Sequence, residues 1–193
     1  MATLTFRPDS TDGSDTYGNG HPFFDEGVNC ALNEMLLGWE KSGPNQFPYR
    51  CFIKMDISSI AAGTEITSAT LSMWLDTVFN TGAEPCKVRR ITSDWVCPHT
   101  SWNKRDSGID WDTPGGDFTT VDEVDFNLPQ TEGASFDITI TDLVKDAIDN
   151  RAGILSILLM RVTEGNPKAN IKLVTSESSF TFRPNLTVVT VDP

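Results

Sequence analysis

The feature that most constrains this chain is a side-chain period of two. In "YRCFIKMD", residues 49–56, Cys51, Ile53 and Met55 alternate with Arg50, Lys54 and Asp56, and a pleated strand is what turns successive side chains to opposite faces. Phe52 breaks the alternation. "ATLSMWL" sets Ala69, Leu71, Met73 and Leu75 on one face, and "SFDITI" repeats the pattern with Phe136, Ile138 and Ile140. "GILSILLM", residues 153–160, is apolar almost throughout, as a strand covered on both faces is, and "PNLTVVTV" closes the chain in β-branched residues. One stretch has the other period: "TDLVKDAIDNRAG" spaces Leu143, Val144, Ala147 and Ile148 for one face of a helix, with Thr139 or Thr141 as its cap and Gly153 as its stop. Turn-forming residues fill 8–29, 40–48 and 103–117. Many short strands, turn-rich connections and one helix predict an all-β chain. The expected architecture is an antiparallel β-sandwich of jelly-roll type with one short helix, in a single domain over residues 1–193.

Charge excludes two classes of partner. Lys and Arg total 15 against 27 Asp and Glu, a formal net charge of −12, so the summed field repels phosphate backbones and anionic lipid. Neither nucleic acid nor a membrane is expected as a partner. No apolar run approaches the roughly 20 residues of a spanning helix, and "MATLTFRPDS" shows no basic stretch followed by an apolar one, so no secretory signal is expected.

Four cysteines, Cys30, Cys51, Cys86 and Cys97, are even in number but lack the CxxC spacing of a metal ribbon. Cys97 and His99, with Cys86 and His21, are conceivable zinc ligands; a buried thiol and a loop histidine is the simpler reading, and a Cys86–Cys97 disulfide is the third. Asp9, Asp12 and Asp15 in "DSTDGSDTYGNG" suit calcium chemistry, although Asp, Ser and Gly equally make turns and the spacing is not that of an EF-hand loop. No cofactor beyond that candidate calcium is expected. No GxSxG elbow or HExxH helix is present, and both histidines lie in turn-rich sequence with no nucleophile beside them. The expectation is a protein without catalytic activity.

"CFIKMDISSIAAGTEITSATLSMWL" resembles the DNRLRE domain, whose pattern runs from a strand ending in Phe-Asp-Leu-Ser through Ile-Pro and a Gly-containing turn to Ser-Ala-Thr-Leu. "VRRITSDWVCPHTSWN", "DITITDLVKDAI" and "TSESSFTFRPNLTVVTV" resemble that family's later segments in the same order, so the likeness spans most of residues 49–191. Met55 stands where the family usually has Phe, and Ala61 or Ala62 replaces its Pro. The resemblance implies a non-catalytic β-sandwich module, commonly appended to secreted proteins, some relatives of which bind polysaccharides such as alginate. It also implies that Trp95 and Trp102 are structural, each ring plugging one end of the sandwich with its N–H tied to a loop carbonyl.

Two functions compete. A jelly roll that opens on its own Met and runs to Pro193 without a tail suits a subunit packed in a larger assembly. The first expectation is therefore a phage particle component: a capsid decoration or cement protein, made in a host cytoplasm, docked on a repeated protein lattice and able to form homo-oligomers. The alternative is an extracellular carbohydrate-binding module recognising a polysaccharide, with Trp39, Tyr49 and Trp111 as the rings that stack on sugar faces.

Overall fold

Alternating sequence becomes a sheet in the computed structural model, which describes residues 1–7, 13–21, 32–79, 82–165, 168–179 and 181–191. In chain order the elements are β1 (Ala2–Phe6), β2 (Gly13–Asn19), β3 (Glu34–Ser42), β4 (Asn45–Asp56), β5 (Ile66–Val78), β6 (Pro85–Ile91), β7 (Lys104–Asp106), β8 (Ile109–Asp110), β9 (Phe118–Asn127), β10 (Ala134–Thr139), α1 (Thr141–Asn150), β11 (Ile154–Arg161), β12 (Ala169–Val174) and β13 (Asn185–Thr190). The five segments expected as strands fall in β4, β5, β10, β11 and β13, and the fold is the mostly β, antiparallel one expected, with one short helix. Eleven strands make one sheet in the order β1-β13-β5-β12-β3-β4-β11-β6-β9, with β10 also paired to β5 and β2 to β4; β7 and β8 form a separate hairpin.

The sheet has to curl. Leu186 and Val188 of β13 share one core with Leu155, Ile157 and Leu159 of β11, yet these strands lie five steps apart in the sheet order. Curling brings the inner faces together around Cys51, Ile53, Met55, Leu71, Met73 and Leu75, and α1 supplies Leu143, Val144, Ala147 and Ile148 to the same core.

Several local expectations need correction. The turn-rich stretches at 8–29 and 40–48 contain strand as well: Gly13–Asn19 pairs with β4, and the second stretch is a hairpin whose turn is Gly43 and Pro44, Gly43 at φ +61. Neither threonine caps α1 through its side chain. Ile140 holds the N-cap position without a side-chain bond, and Thr141 instead accepts from the Ala69 amide at 3.0 Å, so a strand takes the hydroxyl that a free helix would have used. Gly153 does stop the helix, at φ +76 with its N–H on the Ala147 carbonyl, and a Cβ there would lie 2.3 Å from Ser58 Cα.

Phe52 and "GILSILLM" have one explanation. The outer face of β4 and β11 is covered by residues 92–117, which fold back to build a second cluster of Phe52, Ile91, Trp95, Trp111, Leu158 and Met160. Trp95 is fully buried and donates its ring N–H to Ser156 Oγ at 3.0 Å. Buried Arg50 clamps the excursion, donating to both carboxylate oxygens of Glu164 at 2.6 and 2.7 Å and to the Gly115 carbonyl at 2.9 Å while lying 4.7 Å from the centre of the Trp102 ring. Among the described residues no helix is long and apolar enough to cross a membrane.

Candidate functional site

The three rings expected to face sugar do not form an open platform. Trp111 is 4 % exposed, stacks on Phe52 at 5.5 Å and donates its ring N–H to the Ser101 carbonyl at 3.0 Å. A loop-carbonyl tie thus holds Trp111 as a core residue, whereas Trp95 donates to Ser156 and Trp102 is half-buried against Arg50. Trp39 is 8 % exposed, and Tyr49 is 9 % exposed between edge-on contacts to Tyr17 and Phe47. Burial, with Glu40 and Tyr17 adding, pushes the Tyr49 hydroxyl up to about 12. None of the three leaves a ring face open to a ligand.

Metal and disulfide readings also change. Cys97 is disulfide-bonded with its partner outside the described residues, whereas Cys51 and Cys86 are free and buried. A Cys86–Cys97 bridge and a zinc site on Cys97 are therefore both excluded, and His99 pairs instead with Asp106 at 3.0 Å. Asp9 and Asp12 lie outside the described residues. Asp15 is buried and turns both carboxylate oxygens onto Ser176, accepting from its N–H at 2.7 Å and its hydroxyl at 2.9 Å. Desolvation raises Asp15 to about 6, against the pull of the Ser176 bonds and Arg183. Among the described residues no cluster of His, Cys, Asp and Glu is arranged to hold a metal ion.

A different surface has the makings of a site. On the outer face of the β10–β5–β13 wall lies a cleft of about 250 Å³. Its floor is Trp74 and Ser72 of β5 with their cross-strand partners, Ser135 of β10 opposite Trp74 and Asn185 of β13 opposite Ser72. Arg7, just beyond β1, and the segment Thr181, Phe182 and Arg183 before β13 form its walls. Phe182, 37 % exposed, meets Trp74 at a ring separation of 4.6 Å. Arg183 is steadied by an Nε bond to the Ser178 carbonyl at 3.0 Å. The Asn185 amide oxygen is buried and meets no donor among the described residues, an acceptor of the kind a hydroxyl or ordered water completes. Two rings, two guanidiniums and several hydroxyls in one recess can hold the apolar face of a sugar while donating to its oxygens.

Sequence reading missed this set, though two signals were present. Trp74 sits out of phase in "ATLSMWL", on the face opposite Leu71, Met73 and Leu75, so the alternation itself turned the ring outward. "TFRP" also occurs twice, at residues 5–8 and 181–184, and its two arginines line the same cleft because β1 pairs with β13, Phe6 opposite Leu186.

Comparison with known proteins bears on the function. No curated protein matches the chain significantly. The family model of carbohydrate-binding module family 96, however, matches residues 34–190, from the start of β3 to the end of β13, and covers the four stretches that resemble the DNRLRE domain except for the final Val191. That match overturns the expectation of a phage particle decoration protein docked on a lattice, which rested on the apparent completeness of the chain rather than on any residue of a binding surface. The chain belongs to carbohydrate-binding module family 96, a family of non-catalytic modules that bind polysaccharide.

Proposed function

We propose that this module binds an acidic polysaccharide and that the cleft on the outer face of β5 receives it. One observation carries the reading: Arg7 and Arg183 converge beside Trp74 and Phe182 in a chain whose net charge is −12. Two guanidiniums line one recess of an otherwise acidic protein, and a carboxylated sugar is a ligand whose charge and planar shape suit them. Arginine pairs with carboxylate through two parallel N–H bonds, and the rings take the sugar's C–H face. The likeness to DNRLRE modules, some relatives of which bind alginate, points the same way. The Cys97 disulfide favours an oxidising, extracellular setting, where such polysaccharides are met.

Affinity electrophoresis in gels containing alginate, polygalacturonate, xylan or a cellulose derivative tests this. Retardation is expected in the two uronate gels. Trp74→Ala should abolish it, and Arg7→Gln with Arg183→Gln should shift preference toward neutral gels. Unchanged retardation of Trp74→Ala in every gel would remove the cleft from consideration.

A further inference from the structure

One residue beyond β5, the strand that floors the cleft with half-buried Trp74, stands an exposed ring, Phe79. Between β5 and β12 the register shifts: Leu173 faces Leu75, but Lys172 faces Thr77, which leaves Asp76 as an extra residue. Such a bulge changes which face the following residues occupy. Without it, Thr77 and Phe79 would share the inner face of Leu75, which is fully buried. With it, Phe79 stands 50 % exposed, its N–H bonded to the Asn170 carbonyl at 3.1 Å and its ring 5.7 Å from Lys172 Nζ. The bulge thus returns an aromatic ring to the outer face that already carries Trp74. Four residues, Leu75 to Val78, lie between the two rings, which are roughly 15 Å apart along the sheet, about three sugar units laid end to end.

We propose that the binding surface runs on from the cleft to a second site at Phe79 and Lys172, so that the module grips a polysaccharide along several units rather than at a single ring. The proposal rests on the cleft reading given above, and its occupant is the next stretch of the chain held there. Continuity of the outer face supports it, as does the pairing of an aromatic ring with a cation at both ends. Charge differs between the two ends. Lys172 is paired with Glu34 at 2.7 Å, and Asp76 is exposed beside it, so the second site is close to neutral and holds its sugar mainly by the ring face. The cleft supplies the guanidiniums.

Calorimetric titration with alginate and polygalacturonate oligosaccharides, from dimer to octamer, separates the sites. Wild-type affinity should climb with length beyond the dimer. Phe79→Ala should leave the dimer's affinity and the melting temperature unchanged and weaken hexamer binding roughly three- to tenfold, the range expected for one stacking contact. Phe79→Trp should restore the gain with length. A Phe79→Ala variant that binds the hexamer as wild type, while Trp74→Ala does not bind it, would overturn the second site and leave the cleft standing. Hexamer binding indifferent to Trp74→Ala would bring down the cleft and this inference together.

Discussion

Asp15 is the residue whose placement costs most. A carboxyl that is 3 % exposed and raised from 3.8 to about 6 takes up a proton more readily in the folded protein than in the unfolded chain. Its contribution to stability is therefore fully present below about 4 and is lost as pH rises through 6. Asp94, Asp106, Glu123 and Asp146 are lowered, chiefly by bonds to lysine, backbone or arginine overcoming any burial, so their contributions are present above about 4 and fall away below it. Between about 4 and 6 both contribute, and there it is the Asp15 part that declines. Thermal melts should show wild type losing stability from about pH 5 to about pH 7, and Asp15→Asn, which keeps an acceptor for the Ser176 amide, should flatten that slope. A wild-type slope unaltered in Asp15→Asn would assign the pH dependence elsewhere.

At the scale of elements, the tryptophans divide by what covers them. Residues 92–117 lay Trp95 and Trp111 over Phe52 and Leu158 on the outside of the sheet, whereas Trp74 stays half-buried in a cleft walled by Arg7, Thr181, Phe182 and Arg183. The same residue type therefore serves cohesion on β4 and β11 and recognition on β5. Trp95→Ala and Trp111→Ala should each cost roughly 3–5 kcal/mol of stability, the toll of emptying a large buried ring. At temperatures where both remain folded they should retain polysaccharide binding. Trp74→Ala should do the reverse, losing the ligand with little change in melting. Denaturant titration beside gel retardation distinguishes the two classes, and loss of binding by folded Trp111→Ala would return that ring to the ligand surface.

For the whole molecule, net charge and local charge oppose each other. A protein of −12 repels a polyanion at long range while Arg7 and Arg183 attract it at contact. At low salt the Debye length is about 30 Å, and at physiological salt about 8 Å. Added salt should therefore speed association, by screening the repulsion, and also speed dissociation, by weakening the arginine contacts. Surface-immobilised alginate with flowing protein reads both rates. An association rate that falls with salt would mean that the cleft's field, not the net charge, governs approach.

Periodicity determined the strands in β4, β5, β10, β11 and β13 and the helix, because a strand half-buried against a core must alternate and a helix on that core must repeat its apolar residues at helical spacing. It also placed Trp74 outside. Which outer faces stay open was decided only by tertiary structure. Residues 92–117 fold back over β4 and β11, a long-range event that nothing within "DWVCPHTSWNKRDSGIDW" states, and it consumed Trp111, one of the rings expected to stack on sugar. The cleft depends on the same kind of event. Arg7 and Arg183 lie at opposite ends of the chain and meet because β1 pairs with β13. Phe79 turns outward because one extra residue, Asp76, is accommodated against β12. Pairing partners and register are properties of two segments together, so a single segment's pattern specifies its faces but not what will lie against them.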